Sequence, residues 1–292
     1  MSLRTLYDVA APAKLNLFLH VVGRRADGYH LLQSLFVLID WCDTLHFERR
    51  EDGALARHDL TETLPADDLC LRAARALQQG SGTSLGADVS IAKRVPWGAG
   101  MGGGSSNAAS TLLALNRLWG LDWPRPRLLA LAAKLGADVP FFVGGQNALV
   151  EGIGERLAPV PVPRQWLAVI KPGASLETPA IFASPLLERH TEAAILEGFS
   201  ASDRQAVLAP GFGTNDLQAA AESECAQVKQ AGAVLQERFG NSRMTGSGSA
   251  VFARAGSDGE PSGELPGDLA PGWVGRMCRS MDEHPLAAWA AD

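Results

Sequence analysis

Five glycines fall between positions 98 and 104, in the stretch Pro96-Trp97-Gly98-Ala99-Gly100-Met101-Gly102-Gly103-Gly104-Ser105-Ser106-Asn107. Regular strands and helices do not tolerate that density, because each glycine adds backbone entropy that folding must remove. A turn is forced here, so its flanks become informative. Ala87 to Val95 reads as a strand, and beyond the turn Ala108, Ala109, Leu112, Leu113, Leu115 and Leu118 recur at helical spacing. A glycine-rich turn that opens a helix is suited to an anion. Bare backbone can approach the ligand closely, and the first helical N–H groups point at it. The loop therefore suggests a bound nucleotide.

The remaining composition narrows the partners. With 292 residues and 46% apolar content, the chain can fill one large domain or two ordinary ones. Its 26 basic and 32 acidic side chains leave a net charge of −6, which argues against a general nucleic-acid or membrane-surface binder. Positive charge for an anionic ligand must be focused locally. Cys42, Cys70, Cys225 and Cys278 show no metal-ligand spacing and are too few for a disulfide scaffold, so no metal site is assigned and reduced thiols are expected. Behind Met1-Ser2-Leu3-Arg4 no long apolar run follows, and no segment approaches the ~20 residues needed to span a bilayer. A soluble, cytoplasmic protein is expected. Nothing in the sequence indicates its oligomeric state.

Residues 13–22 alternate with period two, placing Leu15, Leu17, Leu19 and Val21 on one face and Lys14, Asn16, Phe18 and His20 on the other. Asp27-Gly28 marks a turn, and 33–40 and 44–49 read as further strands. A helix is expected from Asp68 to Gln79, capped by Asp67 or Asp68 and ended by Gly80. Further helices are expected over 126–135, stopped by Gly136, and over 215–239, ended by Gly240. Thr178-Pro179 reads as a helix cap followed by a first-turn proline. Strands are expected at 146–150, from Trp166, and at 250–253 behind the turn Thr245-Gly246-Ser247-Gly248-Ser249. Residues 255–272 read as a mobile surface loop. Pro159, Pro161 and Pro163 crowd one segment, which suggests a boundary between 1–158 and 159–292. Strands and helices mix without regular alternation, which favours an α+β class over a doubly wound sheet.

Several nucleotide loops can be compared with this one. Gly98-x-Gly100-x-x-Gly103 formally matches the dinucleotide fingerprint, with Asp122 near the offset of a ribose acid. The loop is mid-chain, however, and Asp122 sits in a Gly-Leu-Asp-Trp-Pro turn and not at a strand end. A Gly-Lys-Ser/Thr loop is absent, as are the protein-kinase His-Arg-Asp and Asp-Phe-Gly signatures. The longer pattern Pro-x-Gly-x-Gly-Met-Gly-Gly-Gly-Ser-Ser-Asn-Ala resembles the phosphate loop of the small-molecule kinase superfamily named for galactokinase, homoserine, mevalonate and phosphomevalonate kinases. Pro12-Ala13-Lys14-Leu15-Asn16-Leu17, Arg25-Ala26-Asp27-Gly28-Tyr29-His30, Leu135-Gly136-Ala137-Asp138-Val139-Pro140-Phe141 and Thr245-Gly246-Ser247-Gly248 occur in that order. Together they resemble the 4-diphosphocytidyl-2-C-methyl-erythritol kinase family. The likeness covers most of 10–185 and the 244–252 turn, and fades over 186–240.

That resemblance implies a two-lobed fold with ATP and a cytidine-diphosphate sugar alcohol between an N-terminal ATP-binding part and a C-terminal part. Mg²⁺ would arrive with ATP. It implies that Asp138 accepts the hydroxyl proton and that Lys14 stabilises its carboxylate and the developing alkoxide. Read without it, Asp138 is equally a turn or cap aspartate and Lys14 an edge-strand lysine. Pro96 would open the phosphate loop, and backbone N–H groups from Trp97, Gly98, Ala99, Gly100, Met101, Gly102, Gly103 and Gly104 would hold phosphates. Ser105 and Ser106 can bond phosphate or the metal's ligand sphere, or cap the helix. Leu69 and Lys93 match the family's adenine neighbours, while Asp68 stands where the family has asparagine. Tyr29, His30 and Phe182 suit a flat cytosine ring; Phe182 also fits a core position. Asn16 can orient the substrate alcohol, and Thr178 can contact substrate or cap its helix. A related kinase for another small alcohol, a non-catalytic sensor and a dinucleotide-dependent oxidoreductase stand as alternatives.

Overall fold

A computed structural model describes residues 3–194, 208–209 and 211–292. The alternating segment and the Asp27-Gly28 turn produce a long antiparallel hairpin of β1 (Thr5–Arg24) and β2 (His30–Arg50). Gly28 supplies the turn at φ 92°, and the Arg25 N–H donates to the Tyr29 carbonyl at 2.7 Å. The two strands expected at 33–40 and 44–49 are one. A register shift opposite Pro12/Ala13 bends the hairpin there without ending it. Around β2 the first sheet assembles in the order β3-β4-β2-β5-β6, with β1 also paired to β2. Here β3 is Leu55–Asp59, β4 Gly86–Ala92, β5 Ala148–Gly152 and β6 Arg156–Pro159. Only the β3–β4 pair is parallel.

Four helices share a buried cluster with this sheet: α1 (Leu69–Ser81), α2 (Gly103–Leu118), α3 (Arg125–Ala132) and α4 (Val139–Gly144). Asp68 caps α1 by accepting the Leu71 N–H at 3.0 Å. Gly80 does not end this helix. The chain continues to Ser81 and turns at Gly82 with φ 70°. A β-carbon on Gly80 would come within 3.2 Å of the Trp123 ring, so its place inside the helix reflects close packing. Helix α3 stops at Ala132, short of the expected 135, and tight backbone turns carry the chain on to Gly136.

A second sheet has the order β10-β7-β9-β8, from β7 (Gln165–Lys171), β8 (Arg243–Met244), β9 (Val251–Ser257) and β10 (Val274–Arg279). It carries α5 (Thr178–Ala183), α6 (Gln218–Glu224) and α7 (Ala226–Phe239). The helix expected over 215–239 is interrupted at Cys225, whose backbone is extended at φ −143°, and Asn215 lies ahead of it in an isolated bridge to Leu19. Gly240 does end α7, at φ 70°. Strand β9 takes the first residues of the expected 255–272 loop. The sheets meet in one buried cluster, where Leu15, Val37 and Ile39 join Leu167, Val169 and Phe252. After β10 the chain returns to the first sheet: Met281 N–H donates to Leu38 O at 2.8 Å, and Leu286 and Ala290 enter the helical core. The α+β class expected from the sequence is the class observed. Among the described residues no helix is long and apolar enough to cross a membrane.

Candidate active site

The glycine loop leaves β4 and enters α2 with Gly98, Gly100 and Gly102 all at positive φ, between 61° and 71°. Close approach fixes Gly100, since a β-carbon there would lie 2.3 Å from the Thr245 carbonyl oxygen. The Thr245–Gly248 turn thus sits directly against the loop. Three carbonyls of the loop turn into the protein, accepting from Ser249 N (Gly98, 3.2 Å), Ala250 N (Ala99, 3.2 Å) and Lys14 N (Met101, 3.0 Å). The Ala99 and Met101 side chains are buried anchors, whereas Pro96 is half-buried and Trp97 is 55% exposed. Gly102 is the residue that caps α2, so neither Ser105 nor Ser106 does. Both serines lie in the first helical turn. The N–H groups of Gly103, Gly104 and Ser105 have no intrahelical acceptor there. Ser106 Oγ is fully buried with no protein partner. Leu69 reaches this turn, its Cδ1 3.8 Å from where a Gly104 β-carbon would be.

Lys93, matched to the family's adenine neighbours, lies just after β4. Its ammonium contacts Asp43 Oδ2 and donates to Asn107 Oδ1 at 3.0 Å. Asp43 is wholly buried. Its Oδ1 accepts the backbone N–H groups of Arg94 at 2.7 Å and Val95 at 2.8 Å, and its Oδ2 accepts from Asn107 Nδ2 at 2.9 Å. These bonds pull Arg94 and Val95 out of the sheet, which is why β4 ends at Ala92 and not at Val95. Asp43 went unnoticed in the sequence and Asn107 was read only as part of the loop motif, although an acid between Trp41 and Leu45 in an apolar strand was a usable signal. A cavity of about 410 Å³ opens beside Lys93, Pro96 and Trp97. Asp68, besides capping α1, pairs with Arg57 at 3.1 Å.

A larger cavity of about 750 Å³ collects Lys14, Asn16, Tyr29, His30, Asp138, Thr178 and Phe182, with Gly100 and Gly102 in its wall. A bulge brings this about. The alternation of β1 breaks between Asn16 and Leu19, so Leu19 follows Lys14 and Asn16 into the cavity. Phe18 instead joins Leu15 and Leu17 in the core, against expectation. The buried Lys14 ammonium donates to Asn16 Oδ1 at 2.6 Å, lies 3.7 Å from Asp138 Oδ2, and sits 4.4 Å from the Phe36 ring centre. Burial lowers the Lys14 pKa from its ordinary value, and the Asp138 charge opposes that shift. Asp138 precedes α4 without capping it through its side chain, and that side chain is 32% exposed. Asp138 therefore holds the cap position of α4, in a turn, with its side chain free of a capping bond. The asparagine is held on three sides: Asn16 N donates to Thr245 Oγ1 at 2.9 Å, its Nδ2 to Ser34 Oγ at 2.9 Å, and Thr245 Oγ1 donates to its Oδ1 at 3.1 Å.

The aromatic group forms where the hairpin turn meets α5. His30 and Phe182 stack with ring centres 5.0 Å apart and an interplanar angle of 26°. His30 Nε2 is buried without a protein partner, and burial together with Arg24 and Arg189 lowers its pKa, favouring the neutral ring. Tyr29 is 61% exposed on the cavity wall. Phe182 also packs on the second sheet's core, as its core reading expects. Thr178 is the first residue of α5, which Glu177 caps by position; the threonine hydroxyl bonds Ser247 Oγ at 2.7 Å.

Residues 68–146 match the family described as GHMP kinases N terminal domain. A 4-diphosphocytidyl-2-C-methyl-D-erythritol kinase from Methylibium petroleiphilum is 65% identical over 292 residues, covering 99% of this chain and all of the relative. One of the same name from Polaromonas sp. is 55% identical, covering 98% of this chain and 95% of the relative. Among solved structures, a 4-(cytidine 5'-diphospho)-2C-methyl-D-erythritol kinase superposes with a TM-score of 0.70 at 35% identity, over 84% of this chain and 89% of that one. A homoserine kinase from Cytophaga hutchinsonii, at 15% identity and TM-score 0.68 over 96% of each chain, shares the fold. By its close relatives over full length, the chain belongs to the 4-diphosphocytidyl-2-C-methyl-D-erythritol kinase family.

Proposed function

We propose that the chain transfers the γ-phosphoryl group of ATP to the 2-hydroxyl of 4-diphosphocytidyl-2-C-methyl-D-erythritol, a step of non-mevalonate isoprenoid precursor synthesis. One observation carries the reading: the Lys14–Asp138 pair and the His30–Phe182 stack line the same cavity, whose wall includes the glycine loop. The N–H groups opening α2 hold the phosphates of ATP. The adenosine end extends toward Leu69, Lys93, Pro96 and Trp97. Cytosine stacks with Tyr29, His30 and Phe182, and the neutral His30 offers its unpartnered Nε2 to the base.

In the reaction the 2-hydroxyl oxygen attacks the γ-phosphorus while its proton passes to an Asp138 carboxylate oxygen, and ADP leaves. Lys14 balances the charge that develops on the attacking oxygen. Asn16 orients the Lys14 ammonium. Thr178, tied to Ser247, borders the substrate. The donor set fits magnesium carried in with ATP, because Ser106 Oγ is a buried oxygen without a protein partner beside the phosphate site and Ser105 shares its turn. When bound, that ion neutralises the phosphate oxygens during transfer. Residues 1–158 form the ATP-binding part and 159–292 complete the substrate side, a division the two sheets follow apart from Pro159 in β6 and the return of the chain after β10 to the first sheet's core. A biosynthetic role of this kind fits the cytoplasm.

The test is ADP release with ATP and the cytidine-diphosphate methylerythritol, run beside homoserine and mevalonate. ADP with the first alone is expected. ADP with either of the others, and none with the first, moves the chain to a related kinase. No ADP with any of the three supports a non-catalytic role.

A further inference from the structure

Asn215 belongs to none of the motifs above. Its surroundings nonetheless connect it to the reacting pair. It is nearly buried, and both amide hydrogens are used: Nδ2 donates to the Met244 carbonyl at 2.8 Å and to the Gly246 carbonyl at 2.9 Å. Those two residues flank Thr245. The remaining amide atom, Oδ1, accepts the Leu217 N–H at 3.0 Å.

The backbone on either side of Asn215 is bonded to β1 at its bulge. Leu19 N–H donates to Thr214 O at 2.8 Å and Asp216 N–H donates to Leu19 O at 2.9 Å. Asp216 Oδ2 accepts from Val21 N at 2.7 Å. The 214–217 segment is therefore a clasp between the bulged strand that carries Lys14 and the turn that carries Thr245. From Thr245 the path is short. Its hydroxyl accepts from Asn16 N and donates to Asn16 Oδ1, and the same Oδ1 receives the Lys14 ammonium. Gly246 in the clasped turn also lies hard against the glycine loop, since a β-carbon there would be 2.6 Å from the Gly100 oxygen.

We infer that Asn215 is a positioning residue for phosphoryl transfer: by gripping the carbonyls on both sides of Thr245 it sets the Thr245–Asn16–Lys14 chain against Asp138. This rests on the proposed function. A side chain acting through three partners should govern the rate of the chemical step more than substrate affinity, because misplacing reacting groups by about 1 Å can cost about a hundredfold in rate.

The experiment uses the full chain. Asn215→Ala removes the grip, and Asn215→Asp keeps the acceptor for Leu217 N–H while placing a carboxylate oxygen against the carbonyls. Gln218→Ala is the control, because Gln218 Oε1 accepts from Met244 N at 3.0 Å and so supports the same strand without touching Gly246. Steady-state kinetics are read beside thermal midpoints. In both Asn215 variants kcat should fall about tenfold to a hundredfold, with KM for both substrates within about twofold of the parent. The double variant Asn215→Ala/Thr245→Ala should be no slower than Thr245→Ala alone, as expected for residues acting on one path. Gln218→Ala should lower the midpoint and keep kcat. The inference is overturned if the Asn215 variants keep the parental kcat, or if the double variant shows the full sum of the two single losses. If the parent itself releases no ADP with the cytidine substrate, the proposed function fails instead.

Discussion

Two buried lysines flank the glycine loop, and their surroundings are opposite. Behind the loop, Lys93 is enclosed by Asp43 and Asn107, and every oxygen of Asp43 is matched by an ammonium, an amide or a backbone N–H. In front of it, Lys14 has one close acceptor, Asn16, and a carboxylate held off at 3.7 Å that is one-third open to the cavity. A closed ion pair whose carboxylate oxygens are all matched offsets its desolvation and fixes local geometry. A pair that stays apart and partly open leaves room for a hydroxyl to enter between its members. Identical residue types thus serve as a brace in one place and as reactive groups in the other, and the closeness and exposure of the carboxylate tell them apart.

Substitutions at the two lysine sites should separate activity from stability. Lys14→Met is expected to lower kcat by about a hundredfold to a thousandfold, with the protein still folded; steady-state assays and circular dichroism check this. A parental kcat would break the contrast. Asp43→Ala leaves Lys93 buried without its counter-charge and is expected to cost about 3–5 kcal/mol of stability, measured by urea denaturation. If that variant loses activity and keeps its stability, Lys93 and Asp43 belong with the reacting groups. A third buried base, His284, has no acidic partner among the described residues: its Nδ1 accepts from Leu286 N at 3.1 Å, and burial with Arg125 nearby pushes its pKa down to about 3. Below its ordinary value near 6.5 the unfolded chain takes up a proton that the folded chain refuses until about pH 3, so stability present above pH 6.5 is lost as pH falls. His284→Asn should remove up to about 1.4 kcal/mol per pH unit of that acid sensitivity between pH 6 and 4. An unchanged slope would mean that the histidine accepts a proton in the folded state.

How much of this was legible beforehand follows from range. The hairpin, the glycine loop and the residues Lys14, Asp138, Tyr29 and His30 were readable because each rests on local pattern or a contiguous motif. The short strands β3, β6, β8 and β10 were not, since two to six residues carry little periodicity and their pairing partners settle them. Gly80 was misread because a packed helix tolerates a glycine where a tryptophan presses close. The bulge after Asn16 reversed the faces of Phe18 and Leu19, and an extra residue in a strand leaves no mark on alternation. Asp43, Asn107 and Asn215 act through partners 14 to 64 positions away or across the sheet junction, and only folding brings those partners together.

The central claim is that Asp138 receives the hydroxyl proton in an open pair with Lys14. Single-turnover transfer from ATP to the cytidine-diphosphate methylerythritol by Asp138→Asn, with ATP binding measured on the same sample, tests it most directly. The account predicts unchanged ATP binding and transfer slowed by about a hundredfold to ten-thousandfold. Transfer at nearly the parental rate, with ATP bound normally, would contradict it.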